Sequence, residues 1–355
     1  MRGSASIALA VIALALATSA ARAQSESESE RESESESESI RAELAPAVAD
    51  GHLASIDDGI DEQFSAWVSE RMYAGSLGSS GGAGLPVVST PSVGSTLGSA
   101  STVMLLTELG ARFGLTPDTR VRADWGFAYE SAHVVGTYMD TTTSVMHYDA
   151  SQERVAARNP VLSFEWAPLI GTARFSFGLG VAIPSAAGAP IPNSVAQAAS
   201  HDASYLAYAL MIASAGGLAP WRYRAERMGI FLPIALSFPV GRMTLTIEGA
   251  AALAAPVTGA GRVPTTGDLQ ADVQLSGDIT PEVRLGARAG LAVLDIGSNQ
   301  ASGTWAQPSL SGYVRVRLDP VFLTASLLVD VGGNYGLGSG GGVWSATIGG
   351  GAAVP

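Results

Sequence analysis

The chain has 355 residues, a formal net charge of -12, 47% hydrophobic residues and no cysteine. The acidic balance disfavours nucleic-acid binding, and the missing thiols exclude cysteine catalysis, Cys-ligated metals and disulfide staples. All of the 20 basic residues are Arg, a bias that fits a GC-rich genome and carries no functional message.

The N-terminus reads as a secretory signal peptide over residues 1–23. Arg2 precedes an apolar stretch from Ile7 to Ala17, and Ala21-Arg22-Ala23 forms an A-x-A cleavage pattern, so the mature chain is expected to begin at Gln24. The apolar stretch is too short for a transmembrane helix, and no later stretch reaches about 18 uninterrupted apolar residues. Next comes SESESERESESESES at 25–39, whose seven Glu and one Arg give -6. Such a run cannot pack a core and is expected to be a disordered acidic tail, either a spacer or a docking segment for a cationic partner or divalent ions. Ile56–Tyr73 shows helical spacing through Ile60, Phe64, Val68 and Met72, with Asp57, Asp58 and Asp61 in the first turn. It predicts a short periplasmic helix. A Gly/Ser linker then closes the 24–83 segment.

From there a two-residue alternation takes over. In VRADWGFAY, Val121, Ala123, Trp125, Phe127 and Tyr129 share one face and Arg122, Asp124, Gly126 and Ala128 the other. RFSFGLG, TLTIEGA, LQADVQL, VRLGARAGLAV and YVRVRL repeat the pattern. Nearly every segment keeps one face apolar for about nine to thirteen residues, the length of a tilted membrane-crossing strand. Tight turns are expected at Thr116–Thr119, Pro168–Thr172, Pro239–Arg242, Gly277–Pro281 and Leu318–Val321, each rich in Pro, Gly or Asp. Longer connections lie at about 130–160, 184–228, 254–266, 295–308 and 331–342. Alternating short and long connections predict an all-β, transmembrane, antiparallel up-and-down barrel over 84–355. Ten strands are secure; a rising strand at 84–94 and a final one at 342–350 would make about twelve, with both termini periplasmic.

In outline the chain resembles Gram-negative outer-membrane β-barrel proteins, porin-like channels included. The leader, the dyad repeat, the turn alternation and aromatic residues near strand ends (Phe113, Tyr129, Trp166, Phe175, Phe238) carry the resemblance. It implies outer-membrane lipid, the outer-membrane assembly machinery and small solutes as partners. One departure is the ending GGGAAVP, which lacks a terminal aromatic; Trp344 is the nearest candidate for that role. The apolar bands suit lipid or a neighbouring subunit of a homo-oligomer equally.

The inner face is where function is expected. Arg112, Arg120, Arg122, Arg174, Arg242, Arg284, Arg315 and Arg317 fall near short turns, where alternation points them inward as a cationic ring, with Arg288 further up. Glu108, Asp124, Glu165, Glu248, Asp272 and Asp330 share that face. They form either a salt-bridge network filling the barrel or a pore whose field favours anions. Inward Gly110, Gly126, Gly178, Gly180, Gly286 and Gly290 are expected to leave open space. The 184–228 connection is unusually apolar, with Tyr205, Leu206, Tyr208, Leu210, Met211 and Trp221, and reads as a plug, an outer-leaflet contact or a guide for hydrophobic compounds. Arg222, Arg224 and Arg227 follow and suit lipid phosphates.

Enzymatic readings fail on context. Gly78-Ser79-Ser80-Gly81-Gly82 fits G-x-S-x-G without a strand-to-helix elbow, and Gly336, Gly338 and Gly341 fit G-x-G-x-x-G without a following helix. His52, His133, His147 and His201 have no ligand spacing, so neither a metal site nor a cofactor is expected. A barrel phospholipase would need His beside Ser on an outward face, and none is expected there, since His133 and His147 fall in the expected 130–160 connection. The expectation is a passive channel for small solutes; the alternatives are a structural or surface-binding barrel and an uptake channel for hydrophobic compounds.

Overall fold

A computed structural model describes residues 64–77, 95–139, 145–185, 220–222, 227–257, 265–296, 305–331 and 341–354. The strands are β1 (Phe64–Leu77), β2 (Ser95–Thr116), β3 (Thr119–Met139), β4 (Val145–Ala157), β5 (Val161–Trp166), β6 (Leu169–Ile170) and β7 (Ala173–Ala182). They continue with β8 (Arg227–Val240), β9 (Met243–Pro256), β10 (Thr266–Thr280), β11 (Val283–Ile296), β12 (Trp305–Leu318), β13 (Val321–Asp330) and β14 (Gly341–Val354).

Every pairing is antiparallel, and the first and last strands close the sheet. β1 pairs with β14 from Phe64↔Val354 to Leu77↔Gly341 and with β2 from Phe64↔Phe113 to Leu77↔Ala100. The result is a closed barrel of 12 strands plus one extra strand, with the two-residue β6 pairing β7 at their turn. The extra strand arises because β4 and β5 share one edge of β3. β5 takes Thr119 to Asp124, and β4 takes Phe127 to Met139. Closure leaves no barrel edge unpaired, which is what a strand structure in lipid requires.

All five expected tight turns are present, with turn residues at 117–118, 171–172, 241–242, 281–282 and 319–320. Gly171 and Gly241 take φ 67° there, a left-handed conformation that favours glycine. They mark one end of the barrel, here called the turn end. At the other, loop end, the wall is taller than expected between β3 and β4. Much of the expected 130–160 connection is a β-hairpin, whose polar residues on both faces hide the two-residue period in the sequence.

Alternation puts apolar groups outside. On β8, Ile230, Leu232, Ile234 and Leu236 are exposed while Phe231, Pro233, Ala235 and Ser237 are buried. A soluble barrel could not leave such bands in water. At the turn end the outer wall carries aromatic groups: Phe64 sits opposite Phe113, and Trp166 meets Phe177 edge-on at 5.7 Å. Pro233, in mid-strand, offers no N–H, and the β7–β8 ladder skips from Phe177↔Ile234 to Gly180↔Phe231 around it.

One expected element is corrected. Residues 64–73, expected to complete a helix from Ile56, lie in strand β1; the rest of that segment, the acidic tail and the 84–94 strand fall outside the described residues. Phe64, Val68 and Met72 fit a four-residue repeat and a two-residue repeat equally. The strand period is masked because Trp67 and Tyr73 point inward while Glu70 points outward, accepting a hydrogen bond from Thr107 Oγ1 at 2.8 Å. β1 therefore supplies the rising strand that β2 needs, and closure of the sheet overrides helical spacing. Trp344, opposite Ala74 and Val329, lies in the loop half and not at the terminal position of β14.

Candidate functional site

The inner wall carries charged and polar groups from the turn end to the loop end, interspersed with apolar ones such as Met104, Leu106 and Leu294. Arg112, Arg120, Arg284, Arg288, Arg315, Glu108, Asp124, Glu165, Glu248, Asp272 and Asp330 are all buried on it. Arg122, Arg174 and Arg317 share this face and are partly exposed. Arg242 does not belong to the wall: it occupies the turn after β8 and faces solvent, because the turn breaks the alternation that would have aimed it inward. Of the expected plug residues, Trp221 is buried; Tyr205, Leu206, Tyr208, Leu210 and Met211 lie outside the described residues.

Near the middle of the wall, two ion clusters stand on different arcs. On β2 and β3, Glu108 accepts from Arg158 Nη1 at 3.0 Å and from Arg222 Nη1 at 3.2 Å. Asp124 accepts from Arg122 Nε and Nη2 at 2.8 and 3.0 Å and from Arg222 Nη2 at 3.1 Å. Arg222 thus bridges two wall carboxylates with one planar guanidinium. It arrives on a single turn of 3-10 helix, Pro220–Arg222, inside the barrel. The expected role of Arg222 at lipid phosphates is therefore corrected, since its charge is held by Glu108 and Asp124. Arg227 likewise donates to Thr266 Oγ1 at 3.0 Å, while Arg224 lies outside the described residues.

The seat of this turn is built by residues that the sequence did not single out. Between β4 and β5 the chain breaks at Arg158-Asn159-Pro160, with Arg158 N donating to Gly126 O at 2.9 Å. Asn159 donates from its backbone N to Arg222 O and from Nδ2 to Trp221 O, both at 3.0 Å, and its Oδ1 accepts from Ser185 N. Trp221 stacks on Phe231 with centroids 4.5 Å apart and 13° between planes, within an apolar patch of Val161, Ala182, Ala250 and Ala252. The sequence hint was the Arg-Asn-Pro triplet itself, since Pro interrupts a strand and Asn suits irregular backbone.

On β9–β11 the residues of the second cluster are all on the wall. Arg288 Nη2 lies 2.6 Å from Asp272 Oδ1, and its Nε 3.9 Å from Glu248 Oε1. Gln270 Nε2 donates to Asp272 Oδ2 at 2.7 Å, and Gln274 Nε2 to Tyr313 Oη at 3.1 Å. At the turn end, Arg120 grips Glu165 with two hydrogen bonds of 2.8 and 3.2 Å, and Arg284 holds Asp278 at 2.7 Å.

The inward glycines do not leave open space, contrary to expectation. A Cβ at Gly110 would fall 2.1 Å from the Trp67 ring, at Gly180 2.0 Å from Phe231, and at Gly286 2.2 Å from Tyr313. Each glycine lets an aromatic ring lie flat against the wall. Gly290 does the same for Asp272 Oδ1, at 2.2 Å, and Gly126 and Gly178 face strand carbonyls at 2.5 and 2.6 Å. Arg122 lies 5.0 Å from the Trp67 centroid and Arg315 4.3 Å from that of Phe322.

No protein-family model matches the sequence. No curated protein matches it either. Among solved structures, an outer-membrane channel from Pseudomonas putida F1 is similar with a TM-score of 0.50 at 10% identity, over 90% of this chain and 100% of that one. The translocator domain of the autotransporter NalP from Neisseria meningitidis aligns at TM-score 0.43 and 10% identity, over 82% and 88% of the two chains. The NanC porin aligns at 0.39 and 9%, over 80% and 98%. Identities this low speak to architecture alone: the chain folds as a closed antiparallel β-barrel of 12 strands, a fold in which the channel from Pseudomonas putida F1 resembles it.

Proposed function

We propose that the protein is a passive, narrow, porin-like channel for small solutes in the outer membrane of a Gram-negative bacterium, with anion preference and with its turn end in the periplasm. The observation that carries this reading is the polarity of the inner wall. A barrel closed only for strength can fill its inside with apolar side chains alone, whereas this one sets guanidiniums, carboxylates, amides and hydroxyls among its apolar groups while its glycines hold the rings flat. Preference for anions is drawn from the turn end, where Arg112, Arg120, Arg174, Arg284, Arg315 and Arg317 stand against the carboxylates of Glu165, Asp278 and Asp319. Purified protein inserted into a planar bilayer under a salt gradient should give discrete current steps with an anion-selective reversal potential. Arg315→Ala combined with Arg317→Ala should move that potential toward cations. Unaltered selectivity in a folded double variant would remove the ring from the account.

A second reading, a structural or surface-binding barrel with a closed inside, draws on one observation. Arg222 ties a lumenal turn to two wall carboxylates. Folded protein that stays silent in the bilayer, with Arg222→Ala silent too, would favour this reading.

A further inference from the structure

Two carboxylates share one row of the inner wall and differ in what balances them. Asp272 on β10 is the register partner of Gly290 on β11, Gly290 of Ser309 on β12, and Ser309 of Asp330 on β13. The charge of Asp272 is met: Arg288 Nη2 lies 2.6 Å from its Oδ1, and Gln270 Nε2 donates to its Oδ2. Asp330, at the other end of the row, is 0% exposed, and among the described residues no donor meets its Oδ1 or its Oδ2.

The surroundings sharpen the contrast. Leu328, two positions back on the same face of β13, is buried. On the other flank Trp344 stands opposite Val329, so the register brings the buried Val343 of β14 alongside Asp330. Across the β12–β13 ladder Ser309 contributes a hydroxyl, whose Oγ stands 3.3 Å from where a Cβ on Gly290 would be. A carboxylate set between a leucine, a valine and a serine has given up its water without gaining a counter-charge. Buried charges are paired, neutralised or bound to an ion.

The geometry narrows what could bind here. Complete burial of Asp330 calls for an occupant small enough to sit inside the wall after shedding its own water. A single carboxylate balances a monovalent ion, whereas a divalent ion would leave a buried positive charge and seek more oxygens than Asp330 and Ser309 offer. Among the described residues no three His, Cys, Asp or Glu side chains converge into a metal cage, and carboxylate and hydroxyl oxygens are hard donors.

We propose that Asp330 anchors a binding site for a small monovalent cation, Na+ or K+, held by its carboxylate with the Ser309 hydroxyl beside it. The site does not depend on conduction. On the channel reading it has one consequence: the bound ion cancels a negative charge inside a barrel proposed to prefer anions.

Linkage between salt and unfolding tests the site. For the full chain folded in detergent and unfolded in urea, NaCl or KCl raised from about 0.03 to about 0.3 M should raise the folding constant up to about tenfold, with N-methylglucamine chloride holding the ionic strength constant. Asp330→Asn keeps the size of the side chain and should remove this dependence. Thallium(I), an alkali-ion surrogate with an anomalous signal, should give a peak beside the Asp330 carboxylate in crystals of the wild-type chain, a readout that holds even where Asp330→Asn fails to fold. The same unfolding midpoint in every salt would overturn the proposal. So would an unchanged salt dependence in folded Asp330→Asn, or thallium peaks found only elsewhere. None of these readouts is a current, so a barrel that is silent in a bilayer leaves the site standing while the channel reading falls.

Discussion

The two mid-wall ion clusters use the same chemistry and differ in who supplies the cation. On β9–β11, Arg288, Asp272 and Glu248 are all wall residues, and Gln270 on the wall takes the remaining oxygen of Asp272. On β2 and β3, the wall supplies Glu108, Asp124 and Arg122, but the bridging guanidinium comes from a turn that is far away in sequence and lies inside the barrel. A cluster made by the wall is part of closure. A cluster completed by a lumenal turn fixes that turn, so the same salt bridge that stabilises also holds a segment inside the barrel, which on the channel reading shapes the bore.

Breaking the wall cluster should have the largest effect. Arg288→Met leaves Asp272 and Glu248 buried without their shared cation, a loss of about 3–5 kcal/mol for a disrupted buried pair. It should appear as a lowered denaturant midpoint in detergent, and the position of the lumenal turn should not change. Arg222→Ala should cost less, about 1.5–3 kcal/mol, the range for hydrogen bonds to charged groups. Glu108 keeps Arg158 and Asp124 keeps Arg122. Its stronger signature should be electrical, with higher conductance and more current noise as the turn loosens. If Arg288→Met raised conductance and Arg222→Ala did not, the distinction between the clusters would be wrong.

The same distinction explains what the sequence could disclose. The wall was legible, because alternation is local: Arg288, Asp272 and Glu248 can be assigned inward from their own strands, and the Pro-, Gly- and Asp-rich turns mark the five reversals at the turn end. Arg158, Asn159 and the inward placement of Arg222 were not, since each depends on chain segments far apart that meet only once the sheet has closed. β1 fails for a related reason. Its inward Trp67 and Tyr73 and outward Glu70 invert the usual polarity, and only its pairing with both β2 and β14 decides its state. The inward glycines show that composition misleads when shape is at stake: a missing side chain looks like space until the neighbouring strand contributes a ring.

That point yields the smallest and most specific effect. Gly180 lies under the ring of Phe231, which in turn carries Trp221 and so the lumenal turn. In Gly180→Ala, the new methyl would meet Phe231 Cζ at 2.0 Å, the far end of a side chain that can swing away from the wall. The strand itself tolerates alanine, so the expected loss is about 1 kcal/mol, the low end for overpacking. Phe231 can swing only toward the axis, and Trp221 has to move with it. The variant should therefore lower single-channel conductance while barely shifting the unfolding midpoint, the opposite electrical sign from Arg222→Ala. Gly286→Ala, beneath Tyr313 on the arc with no lumenal turn among the described residues, is the control: it should show the same small stability loss and a smaller change in current. Equal currents from the two glycine variants would mean that the turn seated on Phe231 does not define the bore.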